Sequence, residues 1–176
     1  MKTLLDHHQL NITLQRLAHE LVENHLSFEN TVLIGIQPRG IFLSDRIVNL
    51  VKQITGNDHI LYGRLDITFY RDDVHQSTTL HVPAATDISF SIAGKKVILI
   101  DDVLHTGRTI RAAMDALLDF GRPTQIELLT LIDRHFSREL PVQPDYVGST
   151  IDTIMTQKVK VNWQEKDGKD EVLLID

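Results

Sequence analysis

The sequence predicts an α/β fold, a central parallel sheet flanked by helices, and three observations predict it. Unbroken aliphatic runs recur at "TVLIGIQP" (31–38), "KKVILI" (95–100) and "TQIELLTLID" (124–133). Stretches with apolar residues at helical spacing lie between them, and the connections are short. A strand covered on both faces reads as a continuous aliphatic run, and strands alternating with helices pair in parallel. Such sheets bind ligands at the carboxyl ends of their strands.

The elements follow in order. Over residues 9–24, Leu10, Leu14, Leu17, Ala18, Leu21 and Val22 form a helical stripe. The run at 31–38 is a buried strand stopped by Pro38. "GIFLSDRIVNLVKQITG" carries Ile41, Leu43, Ile47, Leu50, Val51 and Ile54, a helix closed by Gly56. "YGRLDITFYR" alternates Leu65, Ile67 and Phe69 on one side, the pattern of a strand. "DDVHQSTTLHVPAATD" has neither period and reads as a mobile loop, about 70–86, leading into a short strand. The strand at 95–100 follows a turn at Gly94, and "GRTIRAAMDALLDFG" is a helix, periodic from Thr109 to Leu118 and ended by Gly121. After the third strand comes "RHFSRELPVQPDYVG", an irregular segment with two prolines, then a hairpin turning around "KDGKD".

Composition narrows the function class. The 176 residues, 42% hydrophobic and 24% charged, suit a single domain with a real core. A net charge of -6 implies no generic basic surface for nucleic acid, while leaving room for a local basic patch, since net charge says nothing about distribution. With no cysteine, disulfides and thiolate metal sites are excluded. The amino terminus turns polar too early for a signal peptide and no apolar run reaches membrane-spanning length, so a cytoplasmic location is expected.

One motif carries chemistry. In "VILIDDVLHTGRTI" (97–110), Asp101 and Asp102 follow a buried strand, and a loop containing Thr106, Gly107 and Thr109 enters the next helix. Free N–H groups and the positive end of the helix dipole meet there, Gly107 permits close approach, and the threonines add hydroxyl donors. That suits a phosphate monoester. Neither G-x-x-x-x-G-K-[ST] nor G-x-G-x-x-G occurs in the chain. Two acids beside a phosphate would repel it unless they bound donors or a cation. A ribose 5-phosphate resolves the conflict, with Asp101 and Asp102 on ribose hydroxyls and residues 106–109 on the phosphate. An isolated acid pair would be a helix cap and a surface ion pair; the whole motif argues otherwise.

"VILIDDVLHTGRT" resembles the phosphoribosyl-diphosphate (PRPP) binding loop of type I phosphoribosyltransferases. "GIQPRGIFLSDRI", "LDITFYRDD", "GRTIRAAMDALLDFGRP" and "RELPVQPDYVG" further resemble the PyrR family, and the resemblance runs from about residue 5 to 172. It implies the type I phosphoribosyltransferase fold, a single domain over 1–176. A small hood would come from about 134–176 plus the extreme amino terminus. It also implies uracil phosphoribosyltransferase activity, uracil and PRPP giving UMP and pyrophosphate, joined to attenuation of a pyrimidine operon through its messenger RNA leader. A UMP-responsive RNA-binding attenuator with accessory catalysis, or a phosphoribosyltransferase for another base, are the alternatives.

Residue by residue, the resemblance assigns Asp101, Asp102 and Arg39 to catalysis. Pro38, Arg39 and Gly40 form the pyrophosphate loop, and Val103, Leu104, His105, Thr106, Gly107, Arg108 and Thr109 continue the PRPP loop from the two acids. Arg134 and the backbone of Val159 would read uracil, with Asp133 orienting that loop, and Arg71 would ride on a closing flexible loop. Magnesium would be carried by PRPP and pyrophosphate, without a dedicated protein cage, and a homo-oligomer, dimer or tetramer, is implied. The chain departs from its relatives at Pro38, where most have Thr. It departs again in "DRHFSRELP", one residue longer than usual, and at His105, where Tyr is frequent and the backbone is expected to matter. Cations are thin where RNA-binding members are rich: "QLNITLQRLAHE" has only Arg16, "VQPDYVGST" none, and His135, Arg138 and Arg111 remain. His7, His8, His75 and His81 read as surface residues, and Trp163 as hairpin packing.

Overall fold

The structure, a computed structural model, describes residues 1–72, 85–154 and 156–176. A five-stranded sheet has the order β3-β2-β4-β5-β6, with every neighbouring pair parallel. Its strands are β2 (Thr31–Ile36), β3 (Leu61–Leu65), β4 (Lys96–Leu104), β5 (Gln125–Arg134) and β6 (Tyr146–Ile151). A three-stranded antiparallel sheet, order β1-β8-β7, is built from β1 (Lys2–Leu5), β7 (Lys158–Asn162) and β8 (Glu171–Ile175).

Both faces of the large sheet are covered, which is why its central strands are aliphatic without alternation. Helices α1 (His7–His25) and α2 (Gly40–Thr55) cover one face, burying Leu10, Leu17, Leu43 and Ile47 against Leu33, Ile98, Ile100 and Leu129. Helix α3 (Arg108–Leu117) covers the other, packing Ile110, Ala113 and Leu117 on Val32, Ile34, Val97 and Leu99. From β2 the chain crosses through α2 to β3 on one side, while β4 and β5 lie on the other. The carboxyl ends of β2 and β4 therefore flank the topological switch point, where open α/β sheets form their ligand crevice.

The small sheet packs on α2 through its connecting segment. Trp163 is fully buried, and Arg46 of α2 lies with its guanidinium carbon 4.9 Å from the indole ring centre. Arg46 also donates to Glu165 at 2.7 and 3.0 Å and to Asp170 at 2.7 and 3.0 Å.

Three expectations change. The strand expected through Phe69 stops at Leu65. Asp66 Oδ1 accepts from the Thr68 amide at 3.0 Å and its hydroxyl at 2.7 Å, a side-chain turn that leads into a short 3-10 turn at Thr68–Tyr70 and leaves Phe69 84% exposed. Strand β4 runs on to Leu104, so the two acids lie within the strand rather than after it. Residues 146–151, expected in the hood, form the edge strand of the large sheet; Gly148, Ser149 and Thr150 dilute its aliphatic signal. The amino-terminal strand of the small sheet is only four residues long and carries no pattern of its own. Most of the expected mobile loop, residues 73–84, lies outside the described residues.

Candidate active site

Asp101 and Asp102 sit near the tip of β4, 8% and 7% exposed. Successive strand residues point to opposite faces, so burying both isolates two carboxylates from water. Burial and the neighbouring Asp102 charge push the Asp101 carboxyl well above the ordinary carboxylate range, with Arg71 opposing weakly. Burial also raises Asp102, against the pull of the Arg39 guanidinium. Donors or a cation placed beside the pair would favour its charged form.

Arg39 occupies the position before α2, with its Nε 3.5 Å from Asp102 Oδ2. Its Nη2 donates to the Val161 carbonyl and lies 3.7 Å from Asp167. Pro38 is exposed and follows a cis Gln37–Pro38 peptide. Gly40 is demanded by space: a Cβ there would stand 2.8 Å from the Ile100 carbonyl oxygen and 3.0 Å from Asp101 Oδ1. The absence of a side chain lets the first turn of α2 press against the acids.

Beyond the strand, Gly107 adopts φ +94°, a conformation L side chains resist, and starts α3. Neither N-cap residue, Gly107 of α3 or Arg39 of α2, supplies a side-chain cap, although Thr106 Oγ1 accepts the Arg108 amide at 3.3 Å. By contrast α1, which starts away from these acids, has a complete capping box, Asp6 with Gln9. Two helix amino termini whose N-cap residues offer no side-chain acceptor thus converge beside the buried acids, each suited to an anion. A cavity of about 270 Å³ next to α3 is lined by Arg71, Asp101 and residues 103–110. Val103, Leu104, His105, Thr106, Gly107 and Thr109 are thus brought together around one cavity. Arg108 lines the cavity too, but its guanidinium is engaged by Glu139 and Asp72, each at 2.6 Å.

The segment after β5 buttresses this loop. Arg138 donates to the His105 carbonyl at 2.6 Å, to the Val142 carbonyl at 2.8 Å and to Asp133. The amides of Glu139 and Leu140 donate to the Thr106 carbonyl at 2.9 and 3.1 Å. Arg138, expected to be available to RNA, is instead 16% exposed at its side chain and spent on three oxygens. Arg111 pairs with Asp72 and Asp115. The His105 ring titrates below its ordinary value through partial burial and the nearby Arg134 charge.

Arg134 is 5% exposed and donates to Thr153 Oγ1 at 3.0 Å and the Gln157 carbonyl at 2.8 Å. Gln157 stands two residues before Val159, which pairs with Leu174 in the small sheet. Burial lowers the Arg134 pKa, yet a guanidinium stays charged at any ordinary pH. Sequence reasoning missed Arg138 as a loop support, Gln157 and Thr153 as partners of Arg134, and the contact of Arg39 with the small sheet. Each spans elements far apart in the chain, and no local pattern announces it.

The phosphoribosyl transferase domain model matches residues 1–166. The bifunctional protein PyrR of Elusimicrobium minutum is 49% identical over 174 residues, covering 99% of this chain and 96% of the relative. That of Bacillus cereus is 47% identical over 175 residues, covering 98% and 96%. A hypoxanthine phosphoribosyltransferase structure from Staphylococcus aureus superposes with a TM-score of 0.71 at 20% identity, covering 97% of this chain and 90% of its own, a likeness of fold. With the switch-point acids between two helix amino termini, these matches place the chain in the phosphoribosyltransferase family, among the bifunctional PyrR proteins.

Proposed function

We propose that the chain transfers a phosphoribosyl group from PRPP to uracil, forming UMP and releasing pyrophosphate. The observation that carries this reading is the pair of helix amino termini on either side of Asp101 and Asp102. One suits the 5-phosphate at 105–109, the other the diphosphate at 38–40, and the acids between them suit the ribose hydroxyls.

In the reaction the bond from ribose C1 to the diphosphate oxygen breaks as uracil N1 bonds to C1, and the N1 proton passes to the oxygens of the departing pyrophosphate. Positive charge grows on the ring as pyrophosphate leaves. Asp101 and Asp102, held within a low-dielectric strand tip, stabilise that charge, and Arg39 stabilises the negative charge on the departing group. Once PRPP is bound, these groups need little further reorganisation. Arg39 lies 3.5 Å from Asp102, and Asp101 is buried beside it; two adjacent carboxyls are a donor set that fits a hard cation. Among the described residues no three metal-ligating side chains converge. Magnesium would then rest chiefly on substrate oxygens and water beside Asp101 and Asp102, supplying charge neutralisation for pyrophosphate. Arg134 and the Val159 backbone would read the carbonyl and N–H groups of uracil, and Arg71, on the cavity wall, would add positive charge above the phosphate.

Turnover with PRPP and a panel of uracil, hypoxanthine, guanine and orotate tests the assignment. Uracil is expected to be consumed at least 10²-fold faster than the others. A site built to bond donors and acceptors discriminates strongly against a base that leaves them unpaired. Activity confined to a purine contradicts the reading.

A further inference from the structure

Helix α2 reaches the small sheet at two places. Arg46, seven residues after Arg39, grips Glu165, Asp170 and Trp163. Arg39, at the amino terminus of the same helix, touches the Val161 carbonyl and lies 3.7 Å from Asp167 Oδ2. That oxygen also accepts the Trp163 amide at 2.9 Å. The Asp167 side chain is 20% exposed and the Arg39 side chain 34%, so the contact is partly shielded from water. The guanidinium proposed to meet the diphosphate is thus shared among three oxygen partners. Asp102 belongs to the ribose site; Val161 and Asp167 belong to the segment flanking Val159.

From this sharing we infer that Asp167 is a positioning residue, which holds Arg39 toward the small sheet until diphosphate oxygens take its place. The inference rests on the reading of Arg39 as the diphosphate contact and adds a direction to it. A guanidinium cannot serve the Asp167 carboxylate and a diphosphate with full strength in one geometry. Occupation of the diphosphate site therefore changes what Asp167 and Trp163 feel, and by linkage the state of the small sheet changes diphosphate affinity equally. Nothing in the bonds of Asp167 to its own turn requires the charge: the Trp163 amide needs only an acceptor oxygen, which asparagine also supplies.

Asp167→Asn is accordingly the test, read by titrating pyrophosphate with magnesium, without base, at low ionic strength. The sole tryptophan, Trp163, reports through its emission and calorimetry gives the affinity. In the unsubstituted protein, pyrophosphate is expected to change Trp163 emission. Asp167→Asn is expected to bind pyrophosphate about 2–5-fold more tightly, the worth of a partly exposed ion pair, with a smaller emission change. A merely structural role predicts weaker binding or none of this tightening, and an unchanged or higher dissociation constant in the folded variant overturns the inference. Should the variant not fold, Trp163 emission indifferent to saturating pyrophosphate in the unsubstituted protein overturns it equally. If calorimetry detects no pyrophosphate binding to the unsubstituted protein, the diphosphate assignment of Arg39 falls, and the exchange with it.

Discussion

Asp101 and Asp102 are held at a cost to the free protein. Their carboxyls titrate above the ordinary range because burial disfavours the charged forms and, for Asp101, because Asp102 is its neighbour. The folded chain therefore binds protons that the unfolded chain has already released. Between the ordinary aspartate pKa and the raised values, stability falls as pH rises. Asp101→Asn is expected to flatten that fall and raise the unfolding midpoint at neutral pH, while lowering turnover about 10²–10³-fold. Unfolding midpoints across pH 4 to 8, beside UMP formation, check both halves. A destabilised variant at pH 7, or one with full turnover, would contradict the account. The acids themselves were legible in the sequence because they interrupt an aliphatic run at a strand end. Arg39, the partner of Asp102, was legible through its motif, but not its contacts with Val161 and Asp167, more than a hundred positions away.

At the scale of elements, the loop into α3 depends on one backbone conformation. Gly107 stands at φ +94°, and a Cβ added there would also meet Leu140 and Val142 at 3.3 Å. Gly107→Ala is expected to cost about 1–2 kcal/mol of stability. It should weaken PRPP binding at least tenfold, since the same turn aims the loop amides; urea unfolding and calorimetric PRPP titration measure the two effects. The element pattern explains what the sequence could and could not reveal. Strands β2, β4 and β5 were readable because burial on both faces forces unbroken aliphatics, and Gly56 closed α2 with the left-handed φ of +66° that its role demands. Edge strand β6 and the four-residue β1 were not, because partial burial and short length remove the pattern. The false extension of β3 came from alternation continued by Ile67 and Phe69 across a turn set by Asp66.

For the whole molecule, the large sheet supplies a rigid frame and the small sheet closes over one end of it. Arg46 and Trp163 fasten the small sheet to α2, while Arg138 fastens the PRPP-type loop to the segment after β5. Arginines spent in this way are withdrawn from any RNA surface. Among the described residues, Arg16 is tied to the Val147 and Gly148 carbonyls and half-buried Arg138 to three oxygens, so neither guanidinium is free to turn toward a phosphate. The central claim concerns the switch point, where neighbouring buried acids meet two helix amino termini. A crystal of the protein soaked with UMP tests it most directly. The account predicts ribose hydroxyls within hydrogen-bond distance of the Asp101 and Asp102 carboxylates and the phosphate on the amides of residues 105–109; a nucleotide bound elsewhere, or that loop left empty at saturation, would contradict it.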